Sequence, residues 1–152
     1  MKLYLDVSCL NRPFDDQTQA RIRLESEAVT LILDECDHGE WQQLSSEIAT
    51  IEIDATPDAD RRKRVRHLLP QVKFISALTE DHFERGGVLE KLGFKPADAL
   101  HVAAAEFSEA DVLLSCDDSF CKVAKRNSRR LHVRVANPVD WLREVGHGLD
   151  AE

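Results

Sequence analysis

The chain has 152 residues, of which 43% are hydrophobic and 32% charged, with a formal net charge of −8; these values fit one ordinary globular domain with a two- or three-layer core. No apolar run approaches the roughly 20 residues of a membrane span, and no signal-peptide pattern opens the sequence, so no membrane contact and a cytoplasmic location are expected. The acidic balance argues against a general nucleic-acid coat protein, because the overall field repels phosphate.

Lys2-Leu3-Tyr4-Leu5 reads as a short strand buried on both faces, as in a parallel sheet, and it stops at Asp6. Cys9 opens a set of four cysteines with Cys36, Cys116 and Cys121; their spacing suits neither zinc nor a disulfide framework, and free thiols are expected. Asn11 to Asp16 reads as a loop broken by Pro13. A helix is predicted over Thr18 to Asp37, with Leu24, Ala28, Leu31 and Ile32 as its apolar stripe and His38-Gly39 ending it. Trp41 to Leu44 reads as a second strand, after which a hydroxyl of Ser45 or Ser46 caps a helix over Glu47 to about Ala55. In that helix Ile48, Ile51 and Ala55 share a face, and Glu52 falls within it. A carboxylate buried without a partner costs several kcal/mol, which makes Glu52 informative. Glu47, at the helix start, is favoured there by the macrodipole alone.

Thr56-Pro57-Asp58 opens a helix that carries a basic block, Arg61 to Arg64 with Arg66 and His67. Val72 to Ile75 reads as a third strand, and Thr79 opens the next helix, which Gly86-Gly87 weakens and Gly93 ends. The helix from Pro96 is apolar nearly all round, so it is expected to be buried, with Asp98 in its first turn. His101 is read as a packed, hydrogen-bonded residue outside any site. Val112 to Ser115 is a clear strand ending at Cys116-Asp117-Asp118, followed by a helix with a second basic block between Lys122 and Arg134. Leu131 to Ala136 reads as a final strand and Asn137-Pro138 as the cap of a last short helix. Residues 1–146 are thus expected to form a single domain, with 147–152 as a disordered tail.

Alternation of this kind gives a three-layer α/β/α fold with a central parallel sheet and right-handed crossovers. Strand carboxyl ends and the following helix amino ends share one sheet edge, so Asp6, Glu52, Asp98 and Asp117 are expected to converge. Crowded carboxylates repel one another unless a cation is present. An all-oxygen set suits Mg²⁺ or Mn²⁺, which promote in-line phosphodiester hydrolysis without a protein nucleophile. A phosphatase of the haloacid-dehalogenase kind needs a second aspartate where Ser8 stands, and a dinucleotide-binding sheet needs glycines that Val7 to Phe14 lacks.

The strand ending in Asp6, the Ser46-to-Glu52 segment, the Ala97-Asp98-Ala99-Leu100-His101 helix start and the Leu114-Ser115-Cys116-Asp117 strand end together resemble the four acidic motifs of PIN domains, whose bacterial members include VapC-type toxin ribonucleases. The resemblance runs from Leu3 to Leu142. It implies Mg²⁺- or Mn²⁺-dependent cleavage of RNA, commonly by a homodimer, with an antitoxin partner in the toxins. Carried over by motif, Asp6, Asp98 and Asp117 bind metal and Glu52 completes the set, with Glu47 a rival for Glu52 and Asp118 for Asp117. Ser115 falls where a serine or threonine often supports the site, and Arg12 is placed to touch substrate phosphate. The alternative is a PIN-like module that binds RNA or protein without cutting.

Overall fold

The computed structural model describes residues 1–146; the expected tail at 147–152 lies outside the described residues. The chain runs β1 (Lys2–Leu5), α1 (Val7–Asn11), α2 (Ala20–Asp37), β2 (Gln42–Ser46), α3 (Glu47–Asp54), α4 (Ala59–Arg66), β3 (Ile75–Ser76), α5 (Glu80–Lys91), α6 (Pro96–Phe107), β4 (Val112–Leu114), α7 (Asp118–Arg126), β5 (Arg134–Ala136) and α8 (Pro138–Glu144). The five strands form one sheet in the order β3-β2-β1-β4-β5, and each pair is parallel. The chain builds outward from β1 to β3, then crosses back to start β4 on the other side of β1. The strand order therefore reverses between β1 and β4, where open α/β sheets place ligands.

Period-two alternation in β1 sorts the core onto two faces. Leu3 and Leu5 pack with Val29 and Ile32 of α2 and with Trp141 and Leu142 of α8. Tyr4 points the other way, into Leu89 of α5, the alanine-rich face of α6 and Phe120 of α7. Helices thus cover both faces, giving the expected three layers. The long apolar α6 is buried from Val102 to Ala105, as its all-round hydrophobicity requires.

Several boundaries differ for physical reasons. A short helix, α1, precedes the loop expected over Asn11 to Asp16, because Asp6 accepts from the Cys9 N–H and caps it, and Arg12–Phe14 forms a 3₁₀ turn within that stretch. The stripe of α2 is rotated by one residue: Glu25, Ala28, Val29 and Ile32 face inward, whereas Leu24 is 40% exposed. A buried ion pair places Glu25 there, as described below. In α3 the buried residues are Ile48, Ala49 and Ile53, while Ile51 is 53% exposed, so Glu52 stands beside the apolar stripe and not inside it. Residues Val72–Phe74 form a 3₁₀ turn, leaving only Ile75 and Ser76 as the edge strand. Helix α5 runs unbroken through Gly86 and Gly87.

Candidate active-site cleft

At the β1/β4 switch point a cleft of about 230 Å³ is lined by Asp6, Val7, Ser8, Asn11, Glu52, Asp98, His101 and Asp117. All four acids singled out by sequence therefore reach one place, from the end of β1, from α3, from the first turn of α6 and from the cap of α7. A larger groove of about 1410 Å³ lies between α2, α7, β5 and α8, and none of the four acids lines it.

Two strand ends are tied together beneath the cleft. Ser8 Oγ–H donates to Asp6 Oδ1 at 2.6 Å, and the Cys9 N–H donates to the same oxygen at 3.0 Å. Ser8 Oγ in turn accepts from the Cys116 N–H at 2.9 Å, so one hydroxyl joins β1 to the turn after β4. Ser115 Oγ accepts from the Asp117 N–H at 3.1 Å and lies 3.3 Å from Ser8 Oγ. Asp117 caps α7, its Oδ1 accepting from the Ser119 and Phe120 N–H groups at 2.9 and 3.2 Å and from the Ser119 hydroxyl at 2.8 Å.

These surroundings set the charges apart. Burial raises the Asp6 carboxyl above its ordinary value, with hydrogen bonds from Ser115, Ser8 and Cys9 acting in opposition. Burial and then the charge of Asp6 push Asp98 up to about 6, with smaller contributions from Asp117 and Glu52. Asp117 is partly desolvated, yet the hydrogen bonds from Ser119 and Phe120 outweigh that and hold it low. Burial leads the rise of Asp98, and the charges of the neighbouring carboxylates add to it. Their all-oxygen chemistry fits Mg²⁺ or Mn²⁺, although as the side chains stand no three His, Cys, Asp or Glu among the described residues gather into a group that could hold a metal ion.

Both rival acids are placed elsewhere. Glu47 Oε1 accepts from the Leu78 N–H at 2.9 Å, which ties α3 to the segment after β3. Asp118 is exposed and pairs with Arg21. Ser115 and Arg12 are absent from the cleft lining. Ser115 has no exposure, so it acts on the acids and not on a ligand. Arg12 does not line the cleft; its Nε donates to Glu25 Oε1 at 2.8 Å and its Nη1 to Asp15 Oδ2 at 3.0 Å. Glu25, 1% exposed, also accepts from Arg21 Nε at 3.2 Å and Asn137 Nδ2 at 2.7 Å.

The first basic block is largely consumed within the protein. Arg61 donates to Asp15 Oδ1 at 2.9 Å and to the Phe14 carbonyl at 2.5 Å, Arg62 donates to the Thr56 carbonyl at 2.7 Å, and Arg64 and Arg66 pair with Asp60 and Asp54. The second block keeps Lys122, Lys125 and Arg126 exposed on α7. The sequence pattern gave no site role to Ser8, Tyr4 or His101. The three-residue step from Asp98 to His101, which puts both on one side of α6, was the available signal for the last of these.

The family model for the PIN domain matches residues 3–126. The chain belongs to the PIN domain family. PIN domains are generally metal-dependent nucleases. Among solved structures, FitAcB from Neisseria gonorrhoeae is similar to this PIN domain with a TM-score of 0.56 at 16% identity, over 90% of this chain and 97% of that one. VapBC2 from Rickettsia felis, bound to a DNA fragment from their promoter, aligns with a TM-score of 0.55 at 12% identity, over 90% and 98% of the two chains. Identities this low establish the shared PIN fold alone. No curated protein matches the sequence. No helix among the described residues is long and apolar enough to cross a membrane.

Proposed function

We propose that this PIN domain is a Mg²⁺- or Mn²⁺-dependent endoribonuclease and the toxin of a toxin–antitoxin pair, acting as a homodimer in the cytoplasm. The observation that carries the reading is the convergence of Asp6, Glu52, Asp98 and Asp117 on one cleft, where burial and their mutual repulsion hold Asp98 at about 6. A dication admitted to such a set relieves the repulsion among its carboxylates. Asp6, Asp98 and Asp117 would hold the ion, with Glu52 completing the set. When bound, the ion supplies activation of an attacking water and stabilisation of the departing oxygen.

The chain's own residues then supply order. Ser8 and Ser115 fix Asp6 and Asp117 across the β1/β4 junction. Lys95, whose charge helps hold Asp117 ionised, and the exposed cations of α7 offer contacts to phosphate on an otherwise acidic protein. The toxin assignment and the antitoxin partner draw on the resemblance to VapC-type toxins and on the fold shared with VapBC2.

Purified protein incubated with single-stranded RNA is expected to cleave it on addition of Mn²⁺, and Asp6→Asn and Asp98→Asn are expected to lower the rate by roughly 100-fold or more, on the order of 3 kcal/mol of barrier. Equal rates in parent and variants would refute the reading. RNA binding without cleavage would instead establish the non-catalytic module.

A further inference from the structure

We propose that His101 is a positioning residue that fixes the Glu52 carboxylate through a buried hydrogen-bond chain starting at Ser46 and Tyr4. What Glu52 does once fixed rests on the nuclease reading above; the chain itself rests on geometry. Tyr4 Oη lies 2.7 Å from Ser46 Oγ and 2.7 Å from His101 Nδ1. His101 Nε2 lies 2.5 Å from Glu52 Oε1. Tyr4 and Ser46 have no exposure and His101 has 2%, so water does not substitute for a missing partner.

Residue chemistry orders the donors. The Glu52 carboxylate only accepts, so Nε2 carries the hydrogen. In a neutral ring Nδ1 is then bare and accepts from the Tyr4 O–H, whose oxygen accepts from the Ser46 O–H. Every contact is satisfied. In a doubly protonated ring Nδ1–H would take the Tyr4 oxygen, the Tyr4 hydrogen would turn to Ser46, and the buried Ser46 hydroxyl would lose this acceptor.

The consequence falls on Glu52. Its side chain is 35% exposed, and a glutamate that open has several rotamers to choose from. A hydrogen bond from a ring clamped in the core selects one of them. His101 stands three residues after Asp98 on α6, so the helix that presents one acid also orients another. Groups that orient metal ligands in this way are typically worth about 10–100-fold in metal affinity or activity.

The test compares the parent with His101→Ala, His101→Gln and Tyr4→Phe. Calorimetric titration with Mn²⁺ is expected to show affinity weakened at least about tenfold in His101→Ala, reduced in Tyr4→Phe, and largely restored in His101→Gln, which keeps an N–H near the Nε2 position. For single-stranded RNA, kcat is expected to fall with KM little changed. Nitrogen-15 NMR of the metal-free parent is expected to report a hydrogen on Nε2 of His101, facing Glu52. A neutral Nδ1–H tautomer in the parent, or parental Mn²⁺ affinity in a folded His101→Ala protein, would overturn the proposal. If His101→Ala does not fold, the tautomer and the Tyr4→Phe titration decide it. A parent that neither binds Mn²⁺ nor cleaves RNA defeats the nuclease reading instead, and the tautomer still judges the chain.

Discussion

Burial and the charge of Asp6 raise Asp98 from an ordinary 3.8 to about 6, so the metal-free fold favours the neutral carboxyl. The stability this gives is fully present below the unfolded value and is lost as pH rises through the folded one. Thermal melts without metal are therefore expected to fall between about pH 4 and 6, and Asp98→Asn to flatten that fall and melt higher than the parent at about pH 7. An unchanged slope would mean that the Asp98 carboxyl is not destabilised by its neighbours. Asp117, held low, acts in the opposite sense, losing its contribution as pH drops through its folded value. Arg12 poses a different question at the same scale. Its removal leaves Glu25, 1% exposed, with Arg21 and Asn137 as partners among the described residues, so Arg12→Ala is expected to cost about 3 kcal/mol in urea unfolding. Full stability combined with abolished RNA cleavage would return Arg12 to the role of a substrate contact.

Among the elements, α5 shows why a glycine pair does not end a helix. A Cβ built at Gly86 meets Leu100 Cδ2 of α6 at 3.2 Å, whereas one built at Gly87 meets nothing within 4 Å. Gly86 thus allows α5 and α6 to approach closely, and Gly87 has no such duty. Gly87→Ala is expected to stabilise the protein by about 0.5–1 kcal/mol through helix propensity, and Gly86→Val to destabilise it by about 1–3 kcal/mol through overpacking. Equal effects on denaturation midpoints would contradict this difference. The rotated stripe of α2 teaches a related lesson. Hydrophobic period alone favoured Leu24, but two arginines and Asn137 make burial of Glu25 acceptable, and the helix turns to reach them.

For the whole molecule, the contrast between the two basic blocks is decisive. Both looked alike in sequence, since the groups that pair with the first lie up to 50 residues away in the chain, as in the Arg61 contact to Asn11. Charge reversal at Lys122 and Lys125 is expected to lower the salt slope of single-stranded RNA binding by about 0.7 for each phosphate no longer neutralised. Reversal at Arg61 is expected to lower the melting temperature and leave that slope alone. Slopes that respond only to Arg61 would move the RNA track to the other face.

Much of the architecture was legible along the chain because the signals are local. A buried strand stopping at an acid, an all-apolar helix with proline at its start, and alternating strand and helix periods determined the class, the layers and the four candidate acids. Tertiary structure alone decided which of Glu47 and Glu52, and which of Asp117 and Asp118, lines the cleft, and gave Ser8, Tyr4 and His101 their partners. Those choices depend on which hydrogen-bonding group stands opposite each side chain, and that group comes from a distant strand or helix brought near only when the sheet reverses its order between β1 and β4.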